Sequence, residues 1–169
     1  VKDNDITEDW NISMIDTGVD SCIGQRLLSV KKYLIDEEYF FTTYGDTLSN
    51  INPLDSLEVL KNKKNLAVSI TGISPNNSFH MISSGDDGTV NKISDTATSD
   101  IWINGGFMCM KPTVFNYLNP GEELVIEPFN RLIEENMLHV NKHSGYWYAM
   151  DTYKDYLELA KAFEARIVK

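Results

Sequence analysis

The chain has 169 residues, 42% of them apolar and 24% charged, which fits one globular domain with a sizeable core. Its net charge of −10, from 25 acidic against 15 basic residues, argues against a nucleic-acid groove, because such a groove needs a basic stripe. No run of about 18 consecutive apolar residues occurs, so no membrane-spanning helix is expected, and the polar start Val1-Lys2-Asp3-Asn4-Asp5 has no apolar signal core.

In chain order, Trp10 to Asp16 alternates apolar and polar residues and predicts a strand. Asp16-Thr17-Gly18-Val19-Asp20-Ser21 has turn chemistry. Leu27, Leu28, Val30 and Leu34 fall at near-helical spacing and predict a helix over Gln25 to Leu34. The aromatic, Thr-containing run Tyr39 to Tyr44 predicts a buried strand. Pro53 opens a helix that runs to Asn62, and the basic run Lys61-Asn62-Lys63-Lys64 reads as its solvated C-terminal end. Leu66 to Ile73 predicts a strand, followed by the loop Ser74-Pro75-Asn76-Asn77-Ser78.

The pattern then changes. Phe79 to Ser83 and Thr89 to Ile93, joined by Gly85-Asp86-Asp87-Gly88, predict a hairpin, and Ile101 to Met110 a further strand. Helices are expected over Thr113 to Leu118, Ile126 to Met137 and Tyr153 to Val168, with short strands at Leu138 to Val140 and Tyr146 to Met150. This alternation predicts an α/β fold, a mostly parallel sheet with helices on both faces that the hairpin makes mixed. The two cysteines, Cys22 and Cys109, have no metal-type spacing and read as reduced thiols of a cytoplasmic protein. Val rather than Met at position 1 suggests that the chain starts inside a longer gene product.

Two aspartates stand out. Asp46 ends Tyr44-Gly45-Asp46 just after an apolar run, and Asp151 follows Gly145-Tyr146-Trp147-Tyr148-Ala149-Met150. Carboxylates at strand ends can hold a hard divalent ion, which binds phosphate oxygens. Taken alone, Asp46 reads equally as a turn residue and Asp151 as a helix N-cap before Thr152.

The runs Ile15-Asp16-Thr17-Gly18, Gly24-Gln25-Arg26-Leu27, Tyr44-Gly45-Asp46, Ile103-Asn104-Gly105-Gly106-Phe107, Gly145-Tyr146-Trp147 and Met150-Asp151-Thr152 occur in an order that resembles the sugar-1-phosphate nucleotidyltransferases, in particular the glucose-1-phosphate cytidylyltransferases. The resemblance implies a three-layer, Rossmann-like nucleotidyltransferase fold with a mixed sheet. One domain would span 1–169 and correspond to roughly the C-terminal two-thirds of the family fold. It implies transfer of CMP from CTP to glucose-1-phosphate, with Asp46 and Asp151 as catalytic ligands of Mg²⁺. Ser21, Gly24, Arg26 and Gly45 would contact the nucleotide, and Asn104, Gly105 and Glu127 the sugar. Each has a plainer reading: Arg26 as an exposed first-turn residue, Gly45 as a turn glycine, Gly105 as part of a bulge, and Glu127 as an acid at a helix start.

Two family features are absent. The glycine-rich loop Gly-Gly-x-Gly-Thr-Arg-Leu, which cradles the triphosphate, does not occur, so the fold is expected to be N-terminally truncated. Where the family carries Glu-Lys-Pro, the aligned residues are Ser94-Asp95-Thr96, so the cation for the sugar phosphate is missing unless a base such as Lys92 substitutes. A different acceptor, or a non-catalytic binding module, therefore stays open. A truncated sheet would leave an open edge, which predicts a homo-oligomer or a partner chain that completes it.

Overall fold

The computed structural model describes residues 11–75, 80–96 and 100–165. Along the chain lie α1 (Ile23–Leu34), β1 (Phe40–Thr43), β2 (Thr47–Ser49), α2 (Pro53–Asn62), β3 (Val68–Ile73), β4 (His80–Ser84), β5 (Val90–Asp95), β6 (Ile103–Met110), a 3₁₀ helix (Pro112–Asn116), α3 (Glu127–Glu134), β7 (Leu138–His143), β8 (Trp147–Ala149) and α4 (Tyr153–Glu164). The central sheet has the order β1-β6-β3-β7, and β2 with β8 and β4 with β5 form separate two-stranded ribbons.

Strand periodicity explains the layering. Successive side chains of β6 point to opposite faces. Met108 and Met110 join Phe40, Val68, Leu27 of α1, Val114 and Phe115 of the 3₁₀ helix, and Phe129 and Leu132 of α3. Cys109, between them, joins Leu60 of α2 and Leu66 on the other face. Helices thus cover both faces and the fold has three layers, as expected. Full burial of Leu60 and Leu132, both 0% exposed, is worth about 1.5–3 kcal/mol each. Burial also raises the Cys109 thiol to about 11, so it stays protonated and inert.

Several expectations need correction. The sheet is mixed, but among the described residues only β3 and β7 pair in parallel. Its antiparallel member is β6, set between β1 and β3, whereas the hairpin β4–β5 lies outside that sheet. The expected strand over Trp10 to Asp16 does not form across 11–16. No described strand lies beside it, and Ile12 and Met14 are 69% and 95% exposed, so the alternation has no sheet to satisfy it. Strand β2 is an addition, a three-residue element directly after the Tyr44-Gly45-Asp46 run. Helix α3 stops at Glu134 because Asn136 adopts φ 55°, a left-handed conformation that Asn tolerates. Phe79, the end of the 74–78 loop, Trp10 and residues 166–168 of the expected C-terminal helix lie outside the described residues.

One loop ties the helical layer together. Glu122 accepts from Arg131 Nη1 at 3.0 Å and from Asn119 N and Nδ2 at 3.0 Å each, while Arg131 Nε donates to the Tyr117 carbonyl at 3.1 Å. Arg131, and then Asn119, hold the Glu122 carboxyl down at about 2, against an ordinary 4.5. Because the folded value is depressed, the stabilisation is present above about pH 4.5 and is lost as pH falls toward about 2. Urea midpoints measured down this window should fall steeply for the native chain, and less steeply for Glu122→Gln.

Candidate active site

Strand β1 ends at Thr43, and the chain turns through Tyr44-Gly45-Asp46 into β2. There β2 pairs antiparallel with β8, matching Thr47 to Ala149, Leu48 to Tyr148 and Ser49 to Trp147. One step further, Met150 N donates to the Asp46 carbonyl at 2.9 Å. The ladder therefore brings Asp46 and Asp151, far apart in sequence, to the same end of one ribbon. Both are exposed, and among the described residues neither carboxylate has a hydrogen-bond or ionic partner. The N-cap of α4 is Thr152, which forms a capping box with Asp155: Asp155 N donates to Thr152 Oγ1 at 3.2 Å, and Thr152 N to Asp155 Oδ2 at 2.8 Å. Asp151 is thereby left free of the capping role.

This donor set suits some metals and not others. Among the described residues no three His, Cys, Asp or Glu side chains cluster closely enough to enclose an ion. Two free carboxylates fit Mg²⁺, which takes one or two and completes its shell with water and phosphate oxygens. They do not fit a closed zinc site or a calcium cage.

A cleft of about 800 Å³ opens beside Asp46, floored by Leu27, Met108 and Leu124 and edged by Thr17, Arg26, Tyr44 and Gly45. A second hollow of about 510 Å³ holds Asp151 with Trp147, Tyr148 and Asp155. Arg26 is committed to its own loop: Nε donates to Ser21 O at 2.8 Å, Nη1 to Thr17 Oγ1 at 3.2 Å and Nη2 to Val19 O at 2.9 Å. A guanidinium has five N–H donors, so two remain for an anion. Gly45 borders the cleft with nothing within 4 Å of where a Cβ would stand, which leaves room for a ligand.

The other candidates sit apart from that cleft. Ser21 donates to Thr17 O and lines a separate hollow of about 460 Å³ beside Gly121. Gly24 is buried in the first turn of α1, where a Cβ would stand 2.3 Å from the Glu122 carbonyl oxygen, so packing by itself requires a glycine there. Asn104 Oδ1 accepts from Gly106 N at 3.0 Å, and its Nδ2 donates to Tyr44 Oη at 3.1 Å. The Gly105 carbonyl accepts from Trp147 Nε1 at 2.8 Å, which locks β6 to β8. Glu127 accepts from Glu123 N at 3.1 Å at the start of α3 and borders neither Asp cavity. Lys92 lies mid-hairpin, paired in register with Ser83, and borders neither cavity. Sequence reading alone passes over Tyr44 as a binding residue, because its link to Asn104 exists only once β1 and β6 are paired.

No protein-family model matches the chain. It is 39% identical over 156 residues to a probable glucose-1-phosphate cytidylyltransferase of Bacillus subtilis, covering 91% of this chain and 60% of that protein. It is 32% identical over 155 residues to the glucose-1-phosphate cytidylyltransferase of Salmonella typhi, covering 89% and 60%. The chain is homologous to the glucose-1-phosphate cytidylyltransferases. It spans about 60% of the length of the relatives that it matches. Among solved structures, a putative glucose-1-phosphate thymidylyltransferase from Bacillus anthracis superimposes with a TM-score of 0.62 at 19% identity, covering 85% of this chain and 61% of that one. HddC from Yersinia pseudotuberculosis gives 0.56 at 15%, covering 84% and 62%. These two carry the fold. No helix among the described residues is long and apolar enough to cross a membrane.

Among the residues that match the cytidylyltransferase pattern, Gly24 separates packing from binding. Gly24→Ala should destabilise the fold by about 1–3 kcal/mol through overpacking against Glu122, read as a lower denaturation midpoint, with nucleotide affinity of the folded fraction unchanged.

Proposed function

We propose that the chain carries part of the active site of a sugar-1-phosphate nucleotidyltransferase that transfers CMP from CTP to glucose-1-phosphate. The observation that carries this reading is the β2–β8 ladder, which sets Asp46 and Asp151 at one ribbon end, with Asp46 on the cleft that Arg26 edges. The names and identities of the relatives support the base and the sugar.

In this reaction a phosphate oxygen of glucose-1-phosphate attacks the α-phosphorus of CTP. The bond from that phosphorus to the bridging oxygen of pyrophosphate breaks, giving CDP-glucose and pyrophosphate. The nucleophile is already an anion, so no general base is needed, and catalysis rests on positioning and charge. Asp46 and Asp151 would hold Mg²⁺, which when bound offsets charge on the phosphate oxygens. Arg26 would offer its two uncommitted N–H groups to a phosphate, and Gly45 would let the ligand approach the backbone. Gly105 fixes Trp147 and thereby the β8 arm that carries Asp151. The free thiols Cys22 and Cys109 support a reducing, cytoplasmic setting.

Ser94-Asp95-Thr96, with Asp95 at the end of β5 opposite His80, favours a second reading in which the acceptor is a different sugar phosphate. Calorimetric titration decides. CDP-glucose should bind in the presence of Mg²⁺, and the double variant Asp46→Asn, Asp151→Asn should bind at least about tenfold more weakly. Equal binding by the variant, or binding indifferent to Mg²⁺, would refute the metal-site assignment. Binding of CMP without discrimination for the glucose moiety would favour the other acceptor.

Among the described residues β1 has no neighbour on its outer edge, which supports a partner strand. Tyr44 N donates to Gly106 O, so by antiparallel alternation Phe41 and Thr43 turn their N–H and C=O groups outward. Hollows flank that edge on both faces, the 800 Å³ cleft and a second of about 310 Å³ lined by Phe41, Thr43 and Thr71. Among the described residues, the buried hydroxyls of Thr42 and Thr71 have no hydrogen-bond partner. A strand added at this edge, from a second copy or another chain, would fill both hollows with alternate side chains. Size-exclusion chromatography should show the chain above monomer mass. Phe41→Pro, which removes an outward donor without touching the β6 ladder, should shift it to monomer, and a monomeric native chain would sink the idea.

A further inference from the structure

Tyr44 is a cleft residue whose hydrogen bonding is specified but incomplete. Its ring rests on the backbone of Gly106, where φ is +79° and a Cβ would fall 2.7 Å from Tyr44 Cδ2. A glycine is therefore needed at 106 twice over, for its backbone conformation and for the seat it gives the ring. The same turn sets the amide of Asn104. Gly106 N–H must meet an oxygen, so Oδ1 faces it at 3.0 Å and Nδ2 faces Tyr44 Oη at 3.1 Å. The network thus assigns the amide orientation. Tyr44 Oη is the acceptor in this pair, and its own hydrogen has to be given elsewhere. Among the described residues nothing receives it.

Three features make that hydrogen available to an anion. Tyr44 borders the same cleft as Arg26, Gly45 and Asp46. A phenol is an uncharged donor at neutral pH, unlike the carboxylates near it. The bond received from Asn104 polarises the hydroxyl and strengthens what it donates.

We propose that Tyr44 is a ligand-binding residue whose hydroxyl donates to a phosphate oxygen of the bound nucleotide or sugar phosphate, with Asn104 holding it in the donating orientation. This rests on the nucleotidyltransferase reading and adds to it a neutral donor between the carboxylate of Asp46 and the sugar-side strand. In a chain of net charge −10, neutral donors are a means of holding phosphate without adding a buried cation. Asn104 then acts as a positioning residue, through Tyr44.

Tyr44→Phe keeps the ring and its seat on Gly106 and removes only the hydroxyl. In calorimetric titrations with Mg²⁺, its affinity for CDP-glucose should fall about ten- to hundredfold, the range for a hydrogen bond to a charged group, with a thermal midpoint close to that of the native chain. Parallel titrations with CMP and with glucose-1-phosphate identify the phosphate: the ligand whose affinity falls carries the contacted oxygen. Asn104→Asp keeps the acceptor for Gly106 N–H but offers Tyr44 a carboxylate, which would take its hydrogen. That variant should lose a similar factor, and the double variant should bind no worse than Tyr44→Phe. Losses that multiply would overturn the positioning role of Asn104. A native chain that binds CDP-glucose while Tyr44→Phe binds equally well overturns the Tyr44 role alone. A lowered midpoint with unchanged affinity does the same and leaves a structural tyrosine. A native chain that binds none of the three ligands overturns the nucleotidyltransferase reading and this role together.

Discussion

Three paired residues of β2 and β8, extended by the bond from Met150 N to the Asp46 carbonyl, give the two aspartates a fixed relation. A two-stranded ribbon is marginal by itself in water, so its geometry depends on what fastens it. Trp147 Nε1 binds the Gly105 carbonyl, Ser49 Oγ donates to the Tyr146 carbonyl, and Asn50 N reaches the same carbonyl at 3.4 Å. The first of these bonds is the decisive one, because β6 is central to the sheet and packed on both faces. Placement of the carboxylates is thus borrowed from the hydrophobic core, through one indole.

The strand β6 carries more of the architecture than its length suggests. Met108 and Met110 anchor one helical layer and Cys109 the other. Its first residues, Asn104 to Gly106, reach the candidate site, where the core's regular alternation gives way to a bulge between Ile70 and Gly72 of β3. At that end a glycine with positive φ and the Asn104 amide that meets its N–H lie within three residues, and Tyr44 seats against them from across the sheet.

Much of this was legible in the amino-acid order, for identifiable reasons. Helix α2 runs from Pro53 to Asn62 as expected because proline at its first position and the Asn52 side chain, accepting from Leu54 N, fix its start locally. The aspartate pair could be picked out because strand-end Gly-Asp and the run before Asp151 are local patterns. What failed depended on neighbours. The 11–16 alternation needed an adjoining strand. β2 is too short to announce itself and exists only by pairing with β8. The packing need at Gly24 comes from the Glu122 carbonyl set against it, and Tyr44 acquires meaning only from Asn104, on a strand sixty positions later. The direction of β6 likewise follows from the hairpin before it, a tertiary choice that no local propensity encodes.

The unequal burial of the two cysteines has a practical corollary. Cys109 is 0% exposed with its thiol raised to about 11, so it resists alkylation in the folded state. Cys22 is only partly buried, its Sγ donating to the Glu122 carbonyl at 2.9 Å. A maleimide dye or spin label therefore has one accessible address in the native protein. It lies at the start of α1, next to the loop that Arg26 gathers around itself, so a reporter there would sense rearrangement of that loop without any engineered cysteine.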